Sequence, residues 1–135
     1  MLFYIDEQDS RPIYQQLVNQ VKERISSGTI RPGEELPPVR ELAESLGINL
    51  HTVRAAYTKL SNEGIIEVRL GRRTRVARRL NLPLDPVEMS DLKGHFREVL
   101  ADALVKGLSP DEVRCLIKEQ LDALTLSDKE NDHEE

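Results

Sequence analysis

The chain is poor in the residues that most often advertise covalent or metal chemistry. It holds one cysteine, Cys115, in 135 residues. An internal disulfide is therefore excluded, and the usage fits a reducing cytoplasm. The three histidines, His51, His95 and His133, are scattered and lack metal-ligand spacing. Asp85, Glu88 and Asp91 lie close together, but at a linker and helix start, where acids favour the helix dipole; no metal is expected there. No apolar run approaches the roughly 18 residues of a membrane span. The opening MLFYIDEQDS turns acidic at once, which argues against a secretory signal. Nucleophile–base pairs, phosphate-cradling glycine loops and paired catalytic carboxylates are also missing, so neither an enzyme nor a cofactor is expected.

What is present is an uneven distribution of charge. The formal net charge is −5, yet residues 1–80 hold 13 Lys and Arg against 10 Asp and Glu, and residues 81–135 hold 6 against 14. Such a split suggests one half that meets a polyanion and another with a different task, although clustering on a solvated face would look the same. The basic excess is concentrated in RLGRRTRVARR, residues 69–79, with six arginines and no acid.

Hydrophobic spacing places this stretch in a fold. Ile13, Leu17, Val21 and Ile25 recur at steps of four, with Val18 alongside, and predict an amphipathic helix over 12–27. RPGEELPP (31–38) is turn material with room for a short strand at Glu35–Leu36. Val39, Leu42, Ala43 and Leu46 predict a second helix that Gly47 ends. Asn49 can cap a third, whose inward residues are Val53, Ala56, Tyr57 and Leu60 and which stops at Gly64. Two helices joined through LGIN have the helix-turn-helix form. The third leaves His51, Thr52, Arg54, Ala55, Thr58 and Lys59 outward, a small, polar or basic face without an acid.

The period then changes to two. Ile66, Val68 and Leu70 alternate with Glu67 and Arg69, Gly71 opens a turn, and TRV (74–76) returns. The arginine stretch is thus the tip of a β-hairpin, a wing suited to phosphates or the minor groove while the third helix reads the major groove. The expected fold is mostly α with a small β-hairpin: a winged helix-turn-helix domain over 1–80, followed by a two-helix segment over 81–126.

NLPLDP (81–86) reads as a linker. A helix from about Met89 to Lys106 then presents Leu92, Phe96, Val99, Leu100, Ala103 and Leu104, and a second, capped by Ser109 in SPDE, presents Val113, Leu116, Ile117, Leu121 and Leu124. Cys115, beside that face, is expected to be a small buried hydrophobe. The acidic residues 127–135 have nothing to bury and are expected to be disordered. Two such helices cannot make a stable core alone. Either a second copy covers Leu92, Phe96, Val99, Leu100, Ala103, Val113, Ile117 and Leu121 in a four-helix bundle, or both helices fold back on their own winged domain; the bundle is the economical choice.

The pattern PIYQQL, SGTIRPGEELPPVRELAE, LGIN, TVRAAY and EGII, within residues 11–77, resembles the DNA-binding domain of the GntR family of bacterial transcription repressors. The short C-terminal part resembles the YtrA subfamily. The resemblance implies DNA contacts by Arg40 at the start of the second helix, by Asn49, His51 and Thr52 in the first turn of the third, and by Arg54, the candidate for a bidentate pair to guanine. It also implies a close backbone approach at Gly71, with Arg72 beside it; Arg73 shares the hairpin tip. Pro38 replaces the family's usual serine and Ala55 a frequent basic residue. Leu50, where many members have arginine, either packs on a thymine methyl or covers the turn. GRRTRV replaces the more frequent GRGTFV. These departures bear on which sequence is read, not on the class of target.

The function expected is therefore a cytoplasmic, sequence-specific transcriptional regulator, a repressor, binding double-stranded DNA as a homodimer. Its inverted-repeat operator would have half-sites about 10 base pairs apart. The alternative is a winged-helix module that binds protein and no DNA. A small-molecule effector, of unidentified chemistry, is left open, because two helices per chain offer little room for a pocket of a few hundred Å³.

Overall fold

The computed structural model describes residues 3–69, 71–78 and 83–125. Leu70, the start of the linker and the acidic tail, for which burial, irregularity and disorder were expected, lie outside the described residues.

The first helix, α1 (Ile13–Ser26), buries Leu17, Val18 and Val21 as its spacing predicts. Ile13 sits on the exposed first turn instead, one turn short of the core. In front of α1 runs an extended segment that the hydrophobic pattern does not announce. Phe3 is buried, with the Arg24 guanidinium 4.6 Å above its ring. Two glutamines one helical turn apart hold this segment as a neighbouring strand would. Gln20 accepts from the Tyr4 N–H at 3.2 Å and donates to its carbonyl at 2.6 Å. Gln16 does the same for Asp6 at 3.0 and 3.1 Å, and also reaches the Arg11 carbonyl. Gln16 can therefore be buried without an unpaired polar atom.

α2 (Val39–Leu46) and α3 (Leu50–Asn62) follow. Pro38 precedes α2 and supplies no side-chain cap, as the lost serine hydroxyl implies. Gly47 takes φ 66°, a left-handed conformation that costs a residue with a Cβ. It lets the Ile48 N–H return to the Ala43 carbonyl and swings the chain into α3. Val53, Ala56 and Leu60 are sealed from solvent, each fully buried large aliphatic contributing roughly 1.5–3 kcal/mol. Leu50 is half-buried against this core.

β1 (Ile66–Glu67) and β2 (Arg75–Val76) pair antiparallel, Ile66 opposite Val76 and Glu67 opposite Arg75. These strands are shorter than the alternation suggests, and Val68 is exposed because the ladder ends before it. A third segment completes the sheet. Glu35 bridges to Arg75, the Leu36 N–H donates to the Thr74 carbonyl and the Val76 N–H to that of Glu34. The short strand expected at Glu35–Leu36 thus becomes the wing's outer edge. Ile66, Val76 and Leu36 seal its inner face on the core.

α4 (Pro86–Val105) starts three residues before the expected Met89, because Asp85 accepts the Glu88 N–H at 2.8 Å and Pro86 fits the first turn. This bond holds the Asp85 carboxyl below its ordinary value. α5 (Pro110–Leu124) opens on the capping box read from SPDE, with Ser109 and Glu112 each bonding the other's backbone. α4 buries no residue, and α5 only Val113. α5 meets the front domain at α1, where the Ser26 hydroxyl lies 3.2 Å from the Leu124 carbonyl. Cys115 is exposed, contrary to expectation. Two positions beyond Val113 on a helix, it is turned away from the buried stripe.

Candidate nucleic-acid interface

The outer surface of α3 forms an open groove of about 520 Å³ lined by His51, Arg54, Ala55, Thr58, Lys59, Asn62 and Glu63. No residue of α3 is acidic. Glu63, just past its end, is engaged by Lys22 of α1 at 3.3 Å. Arg54 is exposed, 3.5 Å from Nδ1 of His51, itself exposed one turn earlier. Asp9 is paired with Arg11 at 2.6 Å. Two side chains are tied closer to the protein than their spacing implies. Lys59 donates to Gln15 of α1 at 3.0 Å and lies over the Tyr14 ring, so it is half-buried. Thr52 is half-buried as well.

The first turn of α3 is fixed by Asn49, whose side-chain oxygen accepts the His51 N–H at 2.8 Å. With that oxygen used in the cap, Asn49 has its amide donors to offer a ligand. Arg40 stands exposed on the first turn of α2. The register between α2 and α3 is clamped by Tyr57, which donates its buried hydroxyl to the Pro37 carbonyl. Burial, with a smaller contribution from the Glu41 charge, pushes the Tyr57 phenol well above its ordinary value.

At the wing, Gly71 has φ 76° and is exposed; the Arg72 N–H closes the turn onto the Arg69 carbonyl. Arg72 is exposed. The other wing arginines have carboxylate neighbours. Arg75 meets Glu35 at 2.7 Å, Arg73 meets Glu35 at 3.6 Å and Arg69 meets Glu67 at 3.9 Å. Glu35 escapes local sequence reading because it lies some forty positions from both of its arginines.

The candidate contact residues Arg40, Asn49, His51, Thr52, Arg54, Gly71, Arg72 and Arg73 thus lie on α2, on α3 and its cap, and on the wing, all but Thr52 exposed. At the rear, Leu92, Phe96, Val99, Ile117 and Leu121 are exposed, Leu100 and Ala103 half-buried, and Val113 buried.

A family model described as bacterial regulatory proteins, gntR family, matches residues 13–76, from the start of α1 to the end of β2. The chain is 36% identical over 131 residues to the HTH-type transcriptional repressor YtrA of Bacillus subtilis (strain 168), covering 97% of this chain and 100% of that protein. The chain belongs to the gntR family of bacterial regulatory proteins. As a GntR-family member it is a transcriptional regulator with a winged helix-turn-helix fold. Its structure is similar to a Listeria monocytogenes EGD-e protein described as a transcriptional antiterminator, with TM-score 0.85 and 27% identity over 92% of each chain. Its GntR domain is also similar to AraR(DBD) solved in complex with operator ORX1, with TM-score 0.51 and 28% identity, over 56% of this chain and 96% of that one.

Proposed function

We propose that this GntR-family regulator is a repressor that binds operator DNA sequence-specifically as a homodimer. The observation that carries this is the acid-free outer face of α3 beside a wing tipped by an exposed arginine. Likeness to AraR(DBD), solved on its operator, and to a protein named as a repressor supports it. A major groove admits a helix of this kind, and Arg54 on its exposed face would read guanine through O6 and N7. His51, Asn49 and Thr52 flank it, Arg40 takes the backbone, and Gly71 with Arg72 meets phosphates or the minor groove. A protein-docking face would carry exposed large apolar or aromatic groups, and α3 offers none there.

The rear helices supply the second half of the proposal. Phe96 is 57% exposed, Val99 68% and Val105 87%, on a helix that buries nothing within its own chain. Folding back on the winged domain leaves α4 uncovered, so a second copy is the partner. The resulting two-fold axis sets half-sites about one turn, ~10 base pairs, apart. Selection of bound duplexes from random sequence should recover an inverted repeat. On that duplex Arg54→Ala should cost about 1–3 kcal/mol and relax preference at one position, while Arg72→Ala should weaken all sequences alike. Enrichment of no sequence, or equal losses from both variants on every duplex, would contradict this assignment.

A further inference from the structure

The outer face of the wing sheet carries a row of opposite charges paired with one another. Glu67, Arg75 and Glu35 lie directly opposite across three adjacent segments and so share a face. Arg69 and Arg73 join the row by their contacts with Glu67 and Glu35. Three arginines therefore face two glutamates, and Arg72 stands at the turn beyond them. The two partners of Glu35 are held differently. Arg75 is fixed at two points, to the Glu35 carboxylate at 2.7 Å and to the Gly33 carbonyl at 3.0 Å, and pins the outer edge to β2. Arg73, one residue from the turn glycine's neighbour Arg72, meets the other carboxylate oxygen at 3.6 Å and is 64% exposed. A pair that long and that wet contributes little, so its arginine can change partner at small cost.

We infer that Glu35 is an internal competitor for phosphate: it holds Arg73 in the free protein and so limits how much of the wing's charge any duplex can use. The inference rests on the proposal that the wing meets DNA. Lys and Arg contacts to phosphate supply affinity that does not depend on sequence. A carboxylate that must be displaced from Arg73 subtracts from this affinity on every duplex equally. Base readout through α3 is left intact. Glu35 thereby sets the overall strength of binding without touching a base: it weakens every duplex by the same factor, which keeps random sequence weakly bound and leaves the ratio between sequences to the contacts of α3.

The test is fluorescence anisotropy on the selected duplex and on a random duplex over a salt series. The full-length chain is compared with Glu35→Gln, Arg73→Ala, the double variant, and Glu119→Gln, which removes the same charge from α5. Glu35→Gln should tighten binding to both duplexes by up to about fivefold at low salt, the range of one exposed ion pair, and steepen the salt dependence. The gain should vanish on the Arg73→Ala background and be absent in Glu119→Gln. Weaker binding by Glu35→Gln, with an unchanged thermal midpoint, would make the residue a buttress of the wing and overturn the inference. Unchanged binding, or a gain that persists without Arg73, would overturn it as well. Absence of duplex binding by the unmodified protein would instead remove the DNA proposal itself, whatever the variants do.

Discussion

At the scale of single residues, the wing and α3 divide their charges by how firmly each is held. Arg54 and Arg72 are exposed, Arg73 is loosely engaged, and Lys59 and Arg75 are tied into the protein. Counting basic residues therefore overstates what DNA can reach. Tyr57 works from beneath. Tyr57→Phe leaves the Pro37 carbonyl without its donor, and the loss should be about 1–3 kcal/mol by denaturant midpoint. The same residue gives a pH dependence of fixed sign. Its folded phenol is harder to ionise than the ordinary value of 10, so the stability it contributes is complete below pH 10 and declines as pH rises beyond. Urea midpoints measured at neutral pH and above pH 10 should fall with pH in the unmodified protein and show less of that fall in Tyr57→Phe. An equal alkaline loss in both would place its cause elsewhere.

At the scale of elements, some boundaries were legible because local chemistry fixes them. The Gly47 turn, the Asn49 cap and the Ser109 capping box are each decided within four residues, and each stands where the spacing put it. Ser109→Ala should accordingly cost about 1 kcal/mol and fray the start of α5, seen as lost amide protection there. What the sequence hid depends on distance along the chain. Two polar glutamines on α1 give no hydrophobic signal, yet Gln16 and Gln20 hold the segment from Phe3 to Asp6. The partnership of Glu35 with Arg73 and Arg75 needs the pairing of two remote segments. Cys115 flanks an apolar stripe, and flanking positions are where a face is most easily misjudged. Gln20→Ala should release Tyr4 and then Phe3 without melting α1, visible as early proteolytic cleavage near the N-terminus while helical circular dichroism is retained.

At the scale of the whole molecule, the front is well closed and the rear is not. The winged part seals its core with Phe3, α1, α2, α3 and the sheet, whereas α4 and α5 present Leu92, Phe96, Leu104, Leu116 and Leu121 to solvent. If those faces are covered by a second copy, stability must depend on protein concentration. Val99→Asp should leave the front folded, shift sedimentation from dimer to monomer, and lower operator affinity far more than affinity for an isolated half-site. A concentration-independent melting temperature in the unmodified chain would contradict that arrangement. Among the described residues no helix is long and apolar enough to cross a membrane.

The seam between Ser26 and Leu124 gives α1 a second role. Among the described elements it alone packs on both α3 and α5. A tilt imposed at the back of the molecule would therefore reach α3 through this one helix, as the hinge of a pair of calipers sets the gap between its points. In a paired assembly, the spacing of two reading heads along a duplex would be tuned at that seam, far from any base.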